Sequence, residues 1–142
     1  MELAVILPFL LIIVFGVWEV GRMVQAQQLI ANAVREGGRQ AAAGRSDATT
    51  VRQYVVNYLN MNGLTGVTLS DVTLTNLTNA SRSDPMTAEQ LDQFRVTATV
   101  SYASIRWSTV AQITSTSTLT ASADWYSMRD GPIDVTLTIP AN

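Results

Sequence analysis

From Leu3 to Trp18 the chain carries no charged residue, and this run most constrains what the chain can become. It follows Glu2, contains Pro8 and Gly16, and ends where Glu19 and Arg22 restore charge. The pattern then changes. Met23, Ala26, Leu29, Ile30, Ala33, Val34 and Gly37 recur at three and four residues, with Gln27, Asn32, Arg35, Glu36 and Arg39 between them. That spacing puts apolar side chains on one face of a helix and polar ones on the other. A proline near a helix start removes only one or two backbone bonds and bends the rod there, so Pro8 does not stop the helix. One helix of roughly 60 Å is expected up to Gly44, at ~1.5 Å per residue. Its first half suits lipid or a protein core, whereas its second half cannot live in lipid.

Composition closes several routes. The 142 residues contain no Cys and no His, which removes disulfides, thiolate and zinc sites, and histidine acid–base chemistry. Every basic residue is an isolated Arg, and the net charge is −2, so nucleic acid has no electrostatic footprint to bind. No Lys is present for a Ser–Lys pair, and Asp124, Asp130 and Asp134 lack metal-ligand spacing. Neither an enzyme nor a cofactor is expected.

The apolar run approaches the ~20 residues that span a bilayer only by including the surroundings of Glu19. Ala41-Ala42-Ala43 mimics a signal-peptide cleavage site but lies far down an amphipathic helix. Arg22, Arg35, Arg39 and Arg45 all come after the apolar run. The positive-inside rule alone would place the globular part in the cytoplasm, and a basic leader upstream would reverse that orientation.

Beyond Gly44, Ser46 or Asp47 can cap a second helix with a stripe of Val51, Tyr54, Val55, Tyr58 and Leu59, stopped by Asn62-Gly63. A strand over 67–77 changes parity between Leu69 and Val72, which predicts a bulge at Ser70-Asp71. Residues 79–92 read as an exposed loop with one helical turn from Thr87. Phe94, Val96, Ala98, Val100 and Tyr102 alternate with polar residues, as do Leu119, Ala121, Ala123 and Trp125 within a strand over 113–125. After a Gly131-Pro132 turn, Ile133, Val135, Leu137 and Ile139 form the most regular alternation of all. The expected class is α+β: a long helix and a short one packed on an antiparallel sheet of three or four strands. Residues 1–44 form the membrane-spanning or assembly helix and residues 45–142 the head.

The N-terminal third also carries polar residues at defined steps: Glu2, Leu7-Pro8, Gly16-x-x-Glu19-x-Gly21-Arg22, then Gln27-x-x-x-x-Asn32-Ala33-x-Arg35-Glu36-Gly37-x-Arg39. This resembles the TadE-like pilins of the tight-adherence (type IVb, Flp-type) pilus system. Trp125-Tyr-Ser-Met128 resembles a late segment of the same group. The resemblance implies a type IV pilin-like fold and a structural subunit of an extracellular filament. A prepilin peptidase would process it in the bacterial inner membrane, and an assembly platform would polymerise it with copies of itself through its apolar helix. The implied assembly residues are Met1, Glu2, Pro8, Phe9, Phe15, Gly16, Trp18, Glu19 and Arg22. Leu29, Ile30, Ala33, Val34 and Gly37 would pack the helix on the head.

Plainer readings stand beside these. Glu2 can be a solvated helix-start residue that favours the helix dipole instead of a partner for a neighbour's terminal amine. Glu19 and Arg22 fit a same-helix ion pair as well as an intersubunit one. Pro8 and Gly16 are tolerated in membrane helices in general. Arg35, Glu36 and Arg39 suit a solvated face, and Trp107, Trp125 and Tyr126 suit core or rim positions. Asn76-Leu-Thr78 and Asn79-Ala-Ser81 fit the glycosylation pattern. A different functional class also stays open: a single-pass anchored envelope protein whose β-rich head is a binding module.

Overall fold

The computed structural model describes residues 2–104 and 117–129, the side chains of residues 2–5 and 104 excepted. The expected strand over 133–139, the Gly131-Pro132 turn, Trp107 and Met1 lie outside the described residues.

Helix α1 runs unbroken over Glu2–Ala42 and passes through Pro8. It ends where Gly44 takes a positive φ of 62° and donates its N–H to the Ala41 carbonyl at 3.0 Å. Helix α2 covers Ala48–Met61, with Asp47 as N-cap accepting from the Thr49 N–H. Its buried stripe is Val51, Val55, Val56 and Leu59. Tyr54 is exposed and Tyr58 half-buried, which corrects the expected stripe: the smaller Val56 faces the core and the tyrosine ring faces outward.

Three antiparallel strands come next in spatial order β1 (Val72–Asn76), β2 (Gln93–Ser101), β3 (Thr118–Tyr126). Strand β1 is shorter than expected. In place of a bulge, Leu69–Asp71 form a 3-10 turn in which the Asp71 carboxylate accepts from the backbone N–H and hydroxyl of Thr68, both at 2.8 Å. That capping switches the chain's parity before the sheet begins. The single turn in the next loop sits at Pro85–Thr87, two residues earlier than expected, because Asp84 caps it.

One sheet face is apolar. Phe94, Val96, Ala98 and Val100 of β2 and Leu119 of β3 are buried, while Thr118, Thr120, Ser122 and Asp124 point outward. The C-terminal half of α1 covers β2 and β3, and α2 lies nearer β1. Ile30, Ala33, Val34, Val55, Leu59, Val72 and Val96 meet in one cluster between the layers. Burying each of its larger aliphatic side chains stabilises the head by about 1.5–3 kcal/mol. The fold is α+β, with half of its longest element outside its own core.

Candidate functional site

The site is α1 itself. Every residue from Ile6 to Trp18 is exposed, and Phe9, Ile12, Phe15, Val17 and Trp18 each leave more than half of their surface open. The exposure runs around the whole helix. A monomer in water rarely keeps so much contiguous apolar surface uncovered. Among the described residues nothing lies within 4 Å of the position a β-carbon would take at Gly16 or Gly21, so no described contact requires glycine at either place. By length and composition α1 is apolar enough to cross a membrane.

Coverage begins at Glu19, which is half-buried. Its carboxylate accepts a hydrogen bond from the hydroxyl of Tyr102, a residue buried just after β2, and the same hydroxyl lies 3.4 Å from the Glu19 carbonyl. Burial first, and then the carboxylate, push the Tyr102 phenol up to about 12. Sequence reasoning gave Glu19 to Arg22 or to a neighbouring subunit and missed the tyrosine. Tyr102 ended an alternating run, which marked it as buried, but nothing in a one-dimensional pattern linked it to a helix 83 residues upstream. Arg22 lines a groove with Trp18, Gly21, Gln25 and the turn Asn62–Leu64.

Further along α1, Ile30, Ala33 and Val34 are fully buried and Leu29 packs against the cluster. Gly37 lies against α2, where a β-carbon would come 2.4 Å from Val55 Cγ2. Arg35 is exposed, and Glu36 forms an ion pair with Arg39 on the outer surface at 2.5 Å.

The two stretches that carry the resemblance are in contact. Trp125 lies against Gly38, Met128 donates its N–H to the Ala42 carbonyl at 2.9 Å, and Ser127 is tied to Leu91 and Asp92 through the backbone. The late Trp-x-Ser-Met segment thus clamps the end of α1. Gly38 and Ala42 were not singled out by the sequence pattern, because close packing against an indole leaves no periodic signal. Tyr126 remains exposed.

The loop before β2 is held by Asp92, which is 2% exposed. Burial works to raise its pKa. The N–H of Glu89, the amide of Asn76 and the guanidinium of Arg82 outweigh that and hold the carboxyl below its usual range. Asn76 is itself buried and also donates to the Arg82 carbonyl at 2.9 Å, so its side chain is committed inside the head and has no room for a glycan.

A continuous helix that is apolar and bare at one end and core-forming at the other defines a membrane-anchorable protein with an α+β head. Residues 1–39 match the model of the family described as TadE-like protein, which covers the bare half of α1 and most of its packed half. The match and the helix fit a membrane-anchored protein related to the tight-adherence pilus. No curated protein and no solved structure matches the chain.

Proposed function

We propose that this chain is a structural, non-catalytic subunit of a tight-adherence-type pilus, held in the inner membrane by α1 and then polymerised through it into an extracellular filament. The observation that supports the reading is the uncovered stretch Ile6–Trp18, apolar on every side and rigidly continuous with the core of the head. In a membrane that stretch meets lipid. In a filament it meets the same stretch of other copies, which bury it as well as lipid does. Glu2 would pair with a neighbour's terminal amine at the start of the bundle, because an unpaired charge among packed apolar helices costs several kcal/mol. Partners of this reading are copies of the chain, the prepilin peptidase and the assembly platform. Electron microscopy of full-length protein after detergent removal tests it. Ordered filaments are expected, and material that stays as discrete proteoliposome-bound subunits would favour an anchored binding module.

A further inference from the structure

Two glycosylation patterns follow one another in the loop after β1, Asn76-Leu77-Thr78 and Asn79-Ala80-Ser81, and the fold treats their asparagines in opposite ways. Asn76 is 6% exposed at the end of β1. Its amide nitrogen donates to the Arg82 carbonyl at 2.9 Å and to the Asp92 carboxylate at 3.1 Å. Its amide oxygen accepts from the N–H groups of Thr78 and Asn79, both at 2.9 Å. That amide has two N–H donors and two lone pairs, and all are engaged. The Thr78 hydroxyl is engaged as well, accepting from the Gln93 N–H at 3.0 Å. Asn79 lies past the strand, in a turn closed by the Arg82 N–H on its carbonyl at 3.0 Å. It is half-buried, and Ala80 and Ser81 are exposed. Its amide oxygen accepts from the N–H and the hydroxyl of Ser81, at 3.0 and 2.6 Å. Among the described residues nothing accepts from its amide nitrogen.

On the reading that α1 anchors the chain with its head on the outer side of the membrane, we propose that Asn79, and not Asn76, accepts an N-linked glycan from a polyprenyl-diphosphate-linked sugar. The Asn79 amide nitrogen bonds to C1 of the sugar, and the bond from C1 to the phosphate oxygen breaks. The polyprenyl diphosphate leaves with the electron pair, and the amide proton passes to a base of the transferase. When an amide loses that proton, the negative charge collects on its oxygen, and hydrogen bonds to an atom stabilise charge placed on it. The N–H and hydroxyl of Ser81 already make those bonds to Asn79. The turn stands on the surface, so it can enter an enzyme cleft with the head still folded. Asn76 can reach the same cleft only by giving up four hydrogen bonds that hold the loop to Arg82 and Asp92.

Mass spectrometry of the full chain, extracted from the membranes of the cells that make it, tests this. A sugar mass is expected on the intact chain, and fragmentation should place it on Asn79. Asn79→Gln should lose that mass completely. Ser81→Ala should lose it too, although the asparagine is kept, because the hydroxyl is gone. Thr78→Val destroys only the first pattern and should leave the mass in place. A glycan found on Asn76, one that survives Asn79→Gln, or one lost in Thr78→Val and kept in Ser81→Ala would overturn the proposal. Protease added to the outside of spheroplasts reports where the head lies. An unmodified chain whose head is cut from outside overturns the proposal while the anchor reading stands. An unmodified chain whose head is protected shows that the reading beneath it has failed, and the proposal falls with it.

Discussion

The indole of Trp125 lies so close to Gly38 that a β-carbon there would fall 1.8 Å from the ring's Cδ1. Two stretches far apart in the chain meet at this point. Gly37, one residue earlier, faces α2. Adjacent glycines thus let one helix approach two elements on neighbouring faces.

Gly38→Ala should therefore destabilise the head although alanine is the better helix former. The propensity gain is about 1 kcal/mol. The β-carbon must displace a half-buried indole that also closes the end of α1, and overpacking of this kind costs about 1–3 kcal/mol. A net loss in denaturant titration is the expected result. Gly16→Ala is the control, since none of the described residues lies within 4 Å of its added carbon, and it should leave head stability unchanged. Equal stabilisation by both substitutions would show that the indole moves aside freely.

The Tyr102 hydroxyl makes stability depend on alkaline pH. Its folded pKa is raised from the ordinary 10.0 to about 12, so the proton is held longer in the folded state than in the unfolded one. The contribution is fully present below pH 10 and is lost as pH rises through about 12. Ultraviolet titration of the folded protein should show a late phenolate component that Tyr102→Phe lacks. The same variant should flatten the fall in stability above pH 10. Loss of an ordinary component near pH 10 in Tyr102→Phe, with the late one kept, would mean that the hydroxyl is open to solvent.

Asp92 acts at the other end of the scale. Its carboxyl is held below the ordinary 3.8, so its contribution exists above that value and disappears as pH falls through the lowered one. Asp92→Asn should cost about 1–3 kcal/mol near neutral pH, because the Glu89 N–H, Asn76 amide and Arg82 guanidinium lose their common acceptor. The gap between variant and wild type should narrow below pH ~4. A gap that holds constant down to acid unfolding would show that charge plays no part at this position.

How much of this was legible in the sequence depends on the range of each interaction. The long helix and the faces of β2 and β3 were written in local periodicity, where Val96 and Ala98 alternate with Thr97 and Thr99. The packing residues Ile30, Ala33 and Val34 came from the same signal. Tyr54 misled because a periodic position on a helix flank can turn to solvent when a smaller neighbour, Val56, fills the core. The Ser70-Asp71 parity change was visible, but its cause was a capped 3-10 turn. Among the polar residues, Arg35 and Arg39 are exposed as a solvated face requires, whereas one partner of Glu19 was missed. Glu19 was read against the nearby Arg22, while its acceptor role toward Tyr102 depends on how the sheet end lands on the helix. The side chain of Glu2 lies outside the described residues, so its role rests on the resemblance alone.

The boundary between anchor and head can be cut and measured. The expected division fell after residue 44, yet α1 supplies Ile30, Ala33 and Val34 to the core, so a head begun at Arg45 would keep only α2 in its helical layer. Residues Ile6–Trp18 are all exposed and none belongs to the core cluster. A fragment starting at Glu19 should therefore be soluble, monomeric and cooperatively folded, with Tyr102 still bonded to its carboxylate. A fragment starting at Ala26 loses Glu19 and also Met23, which packs against the core cluster. The buried phenol hydroxyl is then left without its acceptor, at a cost of about 1–3 kcal/mol. For a head of this size that lowers the melting temperature by roughly 4–8 °C per kcal/mol. Light scattering and thermal melts of the two fragments decide the matter. Polymerisation of the Glu19 fragment would remove α1's bare half from any role in assembly, and identical melting of the two would show that the reach of the head down to Glu19 adds nothing to its stability.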